Sequence, residues 1–104
     1  MTCEYVQIQT TVNSEDEAKK LIMNLFENNL IACAQYFPIK SYYWWKGELE
    51  NADEILILIK THRKHFEKIK ELFKRYHPYE LPGLVCICFD KISDKYKDWI
   101  SKNT

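Results

Sequence analysis

Strand-like and helix-like segments follow one another in the order strand, helix, strand, strand, helix, strand, helix. That order predicts an α+β domain of the split βαβ, or ferredoxin-like, type: one antiparallel sheet with helices on one face and an additional C-terminal helix. Three features carry the expectation. Period-two alternation opens the chain, apolar residues at helical spacing mark two stripes between strand segments, and an aliphatic run, Ile55-Leu56-Ile57-Leu58-Ile59, marks a strand in the middle. At 104 residues, surface scaling gives roughly 18,000 Å² unfolded against about 6,000 Å² folded, enough burial for one core and one domain spanning 1–104.

Val6 and Ile8 alternate with Gln7 and Gln9, the pattern of a half-buried strand over residues 5–12. Ser14 followed by Glu17 is a capping box, and Ala18, Leu21, Ile22, Leu25 and Phe26 form the apolar stripe of a helix from about Glu15 to Asn28. From Leu30 to Trp45, β-branched and aromatic residues predict a long strand with a break at Pro38, which has no N–H to donate. Trp45-Lys46-Gly47-Glu48 makes a turn into a strand from Glu48 to Thr61, whose central run implies cover on both faces. Phe66, Ile69, Leu72, Phe73 and Tyr76 predict a helix from about Lys64 to Tyr76, stopped by His77-Pro78. Leu84 to Phe89 forms the fourth strand, and Tyr96, Trp99 and Ile100 mark a last helix over 93–102, lying across the sheet surface.

Fifteen basic and fifteen acidic side chains leave a net charge of zero, so no overall field draws the chain to nucleic acid or anionic lipid. No apolar run approaches the roughly 20 residues that cross a bilayer. The expected setting is the cytoplasm, with Cys3, Cys33, Cys86 and Cys88 as reduced thiols, since no C-x-x-C pair or secretory context supports a disulfide framework.

The aromatic arm argues for self-association. On the predicted strand, Tyr43 and Trp45 project to one side and Tyr42 and Trp44 to the other. Large aromatics bury about 150–250 Å² each, and four of them exposed exceed the patch a monomer tolerates. A neighbouring subunit is expected to cover them. The competing reading, in which they fill the chain's own core, leaves little room for fifteen aromatic residues in so small a domain.

Candidate chemistry is sparse. Cys86 and Cys88 share a strand face and could present two soft ligands to Cu(I), but small cysteines on a buried strand read more readily as core residues. His62 and His65 lie three apart without a third ligand nearby. His77 sits on a loop beside Pro78-Tyr79-Glu80, where function concentrates, although a lone loop histidine is commonly a capping residue. Glu54 and Lys60 flank the aliphatic run, either as solvated edges or as a cleft ion pair. No Ser/His/Asp order, glycine-rich phosphate loop or H-E-x-x-H is present, which argues against an enzyme.

Taken together, Tyr43-Trp44-Trp45-Lys46-Gly47-Glu48-Leu49-Glu50, Glu54, Ile59-Lys60-Thr61, His77-Pro78-Tyr79-Glu80 with Pro82, and Tyr96 and Trp99 resemble the CutA divalent-cation tolerance proteins over nearly the whole chain. Ala32-Cys33 before the arm fits the same pattern. The resemblance implies a homotrimer of ferredoxin-like subunits, with Tyr42, Tyr43, Trp44 and Trp45 at the interface. It also implies an intersubunit cleft near Tyr43, Trp45, Glu54, Lys60, His77, Tyr79, Glu80 and Trp99, holding a small ligand or a weakly bound Cu(II) or other divalent ion. For a metal, His77 is the expected ligand. The thiol sometimes implicated near the end of the second helix is replaced by Leu72 and Tyr76, so His77 would need Glu80 or a neighbouring subunit.

Three other readings use the same strand order. A PII-like sensor of small ligands without metal shares the trimeric architecture. An acylphosphatase-like hydrolase needs an arginine on a phosphate-cradling loop, whereas Arg63 and Arg75 lie in or next to a helix. An RNA-binding sheet needs a basic, glycine-containing aromatic strand where this chain has Ile55–Ile59.

Overall fold

The computed structural model describes residues 3–104. Strands β1 (Tyr5–Val12), β2 (Cys33–Trp45), β3 (Glu48–His62) and β4 (Val85–Cys88) form one antiparallel sheet in the order β2-β3-β1-β4. Each βαβ unit is therefore split by a strand of the other. Helices α1 (Glu15–Glu27) and α2 (Phe66–Tyr76) supply Leu21, Ile22, Leu25, Ile69 and Phe73 to a core that also contains Val6, Ile8, Val12, Ile57 and Ile59. The α3 helix (Asp94–Lys102) sits on the opposite face, where Ser101 Oγ meets the Tyr5 hydroxyl at 2.6 Å.

Local chemistry sets the element ends. Ser14 Oγ accepts from the Glu17 N–H at 3.1 Å, which caps α1 as its spacing predicts. The helix closes with Asn29 at φ 56, with Leu30 N–H donating to the Leu25 carbonyl and Asn29 N–H to that of Phe26. That pair of bonds is a Schellman closure. A 3₁₀ turn, Arg63–His65, precedes α2, so the helix begins at Phe66 and not at Lys64. No break occurs at Pro38, because β2 is an edge strand and has a pairing partner on one side only.

Two further expectations are corrected. The first concerns the cysteines. Cys3 and Cys88 form a disulfide across 85 residues, with Cα atoms 5.8 Å apart, leaving Cys33 and Cys86 as the free thiols. Pairing of Val6 with Cys88 brings the end of β4 beside the segment leading into β1, a neighbourhood that spacing alone does not reveal. Cys86 and Cys88 are therefore not a thiolate pair. The second concerns the aliphatic strand. Its two faces are unequally covered within one chain, since Ile57 and Ile59 are fully buried whereas Leu56 and Leu58 on the other face are half-buried.

The outline is elongated, with extents of 44 × 28 × 22 Å and a radius of gyration of 14.4 Å. A compact chain of this length has a radius of about 13 Å. The accessible surface is 7204 Å², about 1,000 Å² more than scaling allows a compact monomer. The excess comes from the hairpin arm. β1 pairs with β3 only from Ile55 to His62, so Glu48–Glu54 and the matching residues 39–45 of β2 project as a two-stranded ribbon.

Candidate functional site

Strand register decides which arm residues face which way. Directly paired residues share a face, so Trp45 lies with Glu48, Tyr43 with Glu50, Ser41 with Ala52 and Ile39 with Glu54, all on the face away from α1 and α2. Tyr42 and Trp44 lie on the other face, 75% and 74% exposed. The arm turns at Lys46 and Gly47, with φ of 49° and 81°, the left-handed pair that a two-residue hairpin requires.

At the root of the arm, the loop after α2 crosses from one face of the sheet to the other. β4 covers β1 only from Val6 to Gln9, which leaves the edge at Thr10–Val12 open to this loop. His77 holds it on the helix side. His77 Nδ1 accepts from the Tyr79 N–H at 3.1 Å, so Nε2 carries the ring proton and donates to Thr10 Oγ1 at 3.0 Å. Burial holds this imidazole below the ordinary histidine value, in its neutral form. Two residues on, the Tyr79 hydroxyl has reached the far side and donates to Glu54 Oε2 at 2.6 Å.

Glu54 is 8% exposed. Burial alone would raise its pKa, but hydrogen bonds from Ser41, Tyr79 and Thr11 outweigh it and hold the carboxyl below the ordinary value. Burial and the neighbouring carboxylate push the Tyr79 phenol well above the ordinary tyrosine range, so it stays a donor at any physiological pH.

Between arm and loop lies an open cleft of about 760 Å³ whose lining includes Thr11, Ser41, Tyr43, Trp45, Glu54 and Tyr79. Of the residues expected at a cleft, Tyr43, Trp45, Glu54, Tyr79 and Glu80 line this one. His77 stands behind it and positions the loop. Lys60 lies farther along β3 and donates to Gln35 Oε1 at 2.7 Å, while Trp99 stacks on Tyr96 in α3 with ring centroids 5.5 Å apart. Within one chain, neither reaches the cleft. Thr11 and Ser41 were not singled out from the sequence. Ser41, a polar residue two positions before Tyr43 on the same strand face, is the one signal that could have pointed to them.

The site is a poor metal centre as it stands. Both His77 ring nitrogens are engaged, and Glu54 already accepts from the Tyr79 hydroxyl. Among the described residues no group of three or more His, Cys, Asp or Glu side chains is placed to hold an ion. A metal at His77 would have to displace a hydrogen bond that fixes the loop.

A split βαβ chain with a long β-ribbon and a cleft at the ribbon's root defines a class of small α+β proteins built around an extended arm. Residues 6–103 match the family described as CutA1 divalent ion tolerance protein, and the chain belongs to that family. It is 38% identical over 95 residues to the divalent-cation tolerance protein CutA of Thermus thermophilus, covering 90% of this chain and 92% of that one. The structure of the periplasmic divalent cation tolerance protein CutA from Archaeoglobus fulgidus superposes with a TM-score of 0.92 at 32% identity, covering 95% and 97% of the two chains. A chloroplastic CutA of Arabidopsis thaliana is 30% identical over 104 residues, which span 99% of this chain and 57% of that protein. The family is named for tolerance and not for a reaction. Among the described residues no helix is long and apolar enough to cross a membrane.

Proposed function

We propose that this chain is a non-enzymatic, ferredoxin-like subunit of a homotrimer acting in divalent metal-ion tolerance, and that it holds a small ligand in the cleft at the root of its arm. The observation that carries the reading is the part of the sheet face away from α1 and α2 that α3 leaves uncovered. Phe37, Val85 and Ile87 are exposed there beside half-buried Leu56 and Leu58, while Tyr42 and Trp44 stand in solvent on the arm's opposite face. Surfaces of this kind are ordinarily closed by a partner. A second and third copy would cover both, leaving Tyr43 and Trp45 as cleft walls and bringing a neighbour's residues, such as Lys60 or Trp99, toward Glu54.

Copper stays the weaker part of the reading, because His77 would need ligands from another chain. A sensor of small ligands without metal uses the same cleft and is the alternative. The compartment also matters. The cytoplasm expected from the sequence sits against the Cys3–Cys88 bond, which an oxidising compartment would preserve more readily.

Native mass spectrometry of the purified protein tests both parts. The expected spectrum shows a trimer carrying a small adduct that is lost on activation. A monomer, or a trimer without adduct under every purification condition, overturns the corresponding half.

A further inference from the structure

Glu54 and Lys60 stand on the same face of β3, the face away from α1 and α2, because six residues separate them in a register that runs unbroken against β2. At about 3.3 Å per residue their Cα atoms are roughly 20 Å apart, beyond the combined reach of the two side chains. The two charges cannot meet within one chain.

Each of them lacks a counter-ion. Glu54 is 8% exposed and accepts from the neutral Tyr79 hydroxyl, and among the described residues no ammonium or guanidinium lies within ion-pairing distance of it. Lys60 is half-buried, donates to the neutral Gln35 side chain and meets no carboxylate among the described residues. A carboxylate this far from water is costly unless a cation joins it. Closing the face with a second copy would remove the water that remains at both groups.

The face itself supplies the cation. Among the described strand residues turned to that side of the sheet, Lys60 is the one lysine or arginine, whereas Glu48, Glu50 and Glu54 all lie on the arm half. Acid and base therefore occupy opposite ends of one surface. In a closed ring, unlike surfaces of neighbouring copies meet, and every copy supplies both.

We propose that in the assembly the Glu54 carboxylate of one copy is paired with the Lys60 ammonium of the next, so that the cleft is walled by Glu54 and Tyr79 from one chain and by Lys60 from another. The pairing rests on the trimeric reading above and names the contact that fixes which ends meet. The bond to Gln35 leaves two of the three ammonium donors free for the carboxylate. The α3 helix carries Lys95, Lys97 and Lys102 on the same side of the sheet, and these are the competing cations.

The test treats the intact protein with a water-soluble carbodiimide. The reagent activates the carboxylate, a deprotonated lysine amine attacks the activated carbonyl carbon, and an amide forms as the reagent leaves as its urea, having taken up the elements of water. Denaturing gels are expected to show linked chains, and peptide mass spectrometry an amide between Glu54 and Lys60, a bond whose length confines it to two different copies. A double-mutant cycle gives a readout independent of the reagent, with dissociation on dilution followed by light scattering. Lys60→Met and Glu54→Gln, which keeps an acceptor for Tyr79, should each weaken association about tenfold or more, and the double variant should be no weaker than the worse single one.

Additive losses overturn the pairing whether or not an amide forms. An amide from Glu54 to Lys95, Lys97 or Lys102 overturns it as well, and in both cases the trimer stands. A folded single chain in light scattering overturns the trimeric reading, and the pairing falls with it. If Glu54→Gln does not fold, Lys60→Met and Lys60→Arg take its place: Met should weaken association and Arg largely retain it, and equal association of the two variants overturns the pairing.

Discussion

The Tyr79 hydroxyl and the Glu54 carboxylate meet at 2.6 Å across the face of the sheet, and this bond joins the loop to the arm. Tyr79→Phe removes a donor to a charged acceptor and is expected to cost about 1.5–3 kcal/mol in urea unfolding. It should also raise the Glu54 pKa, visible in an NMR titration of its carboxyl carbon. An unchanged midpoint and an unchanged Glu54 titration would show that the bond carries no weight.

The histidines give a pH signature. His77 is held below the ordinary value of 6.5 by burial, and His65 by burial and then by Lys64, His62 and Lys68. Nε2 of His65 is also buried without a hydrogen-bond partner. For both groups the folded state binds protons less readily than the unfolded chain. Their contribution is complete above pH 6.5 and is lost as the pH falls through the folded-state values. The melting temperature should therefore drop between pH 7 and about pH 5; a flat or rising profile there would contradict the assignment.

At this scale the sequence was only partly legible. The His77-Pro78-Tyr79-Glu80 run could be picked out as a motif, but the division of labour within it, with His77 facing Thr10 and Tyr79 facing Glu54, depends on a loop crossing a sheet edge. Thr11 and Ser41 become partners of Glu54 only once three strands are in register.

Elements were easier to read because their signals are local. The α1 start follows from Ser14 and Glu17 three positions apart, and Ser14→Ala should cost about 1 kcal/mol, measured by denaturant unfolding. No loss would mean that the cap bond is replaced by water at no cost. The arm's turn was legible for a related reason, since Gly47 is one of only two glycines and lies between two strand-like runs. The uninterrupted β2 was not legible at Pro38, because only the sheet order tells an edge strand from a central one.

The cysteines were misread for the same physical reason. Nothing within residues 3–33 or 86–88 announces that the end of β4 lies beside the entry to β1. Thiol titration of unfolded, unreduced protein should find two reactive thiols per chain, from Cys33 and Cys86, rising to four after reduction. Four before reduction would remove the disulfide. The bond closes a long loop, and reducing it should lower stability by about 2–4 kcal/mol.

For the molecule as a whole, the sequence predicts that the aromatic arm is too apolar to stand alone, and the structure leaves Tyr42 and Trp44 of that arm exposed. The ribbon projects beyond β1, much of the sheet face away from α1 and α2 is left bare beside α3, and about 1,000 Å² of surface exceeds what a compact monomer of this size exposes. The proposed threefold association would answer all three, and the cleft would then be bounded by neighbours as well as by Glu54 and Tyr79. Light scattering at micromolar concentration tests that association most directly. The account predicts a molar mass three times the 12.6 kDa of one chain, unchanged on moderate dilution; a folded species with the mass of a single chain would contradict it.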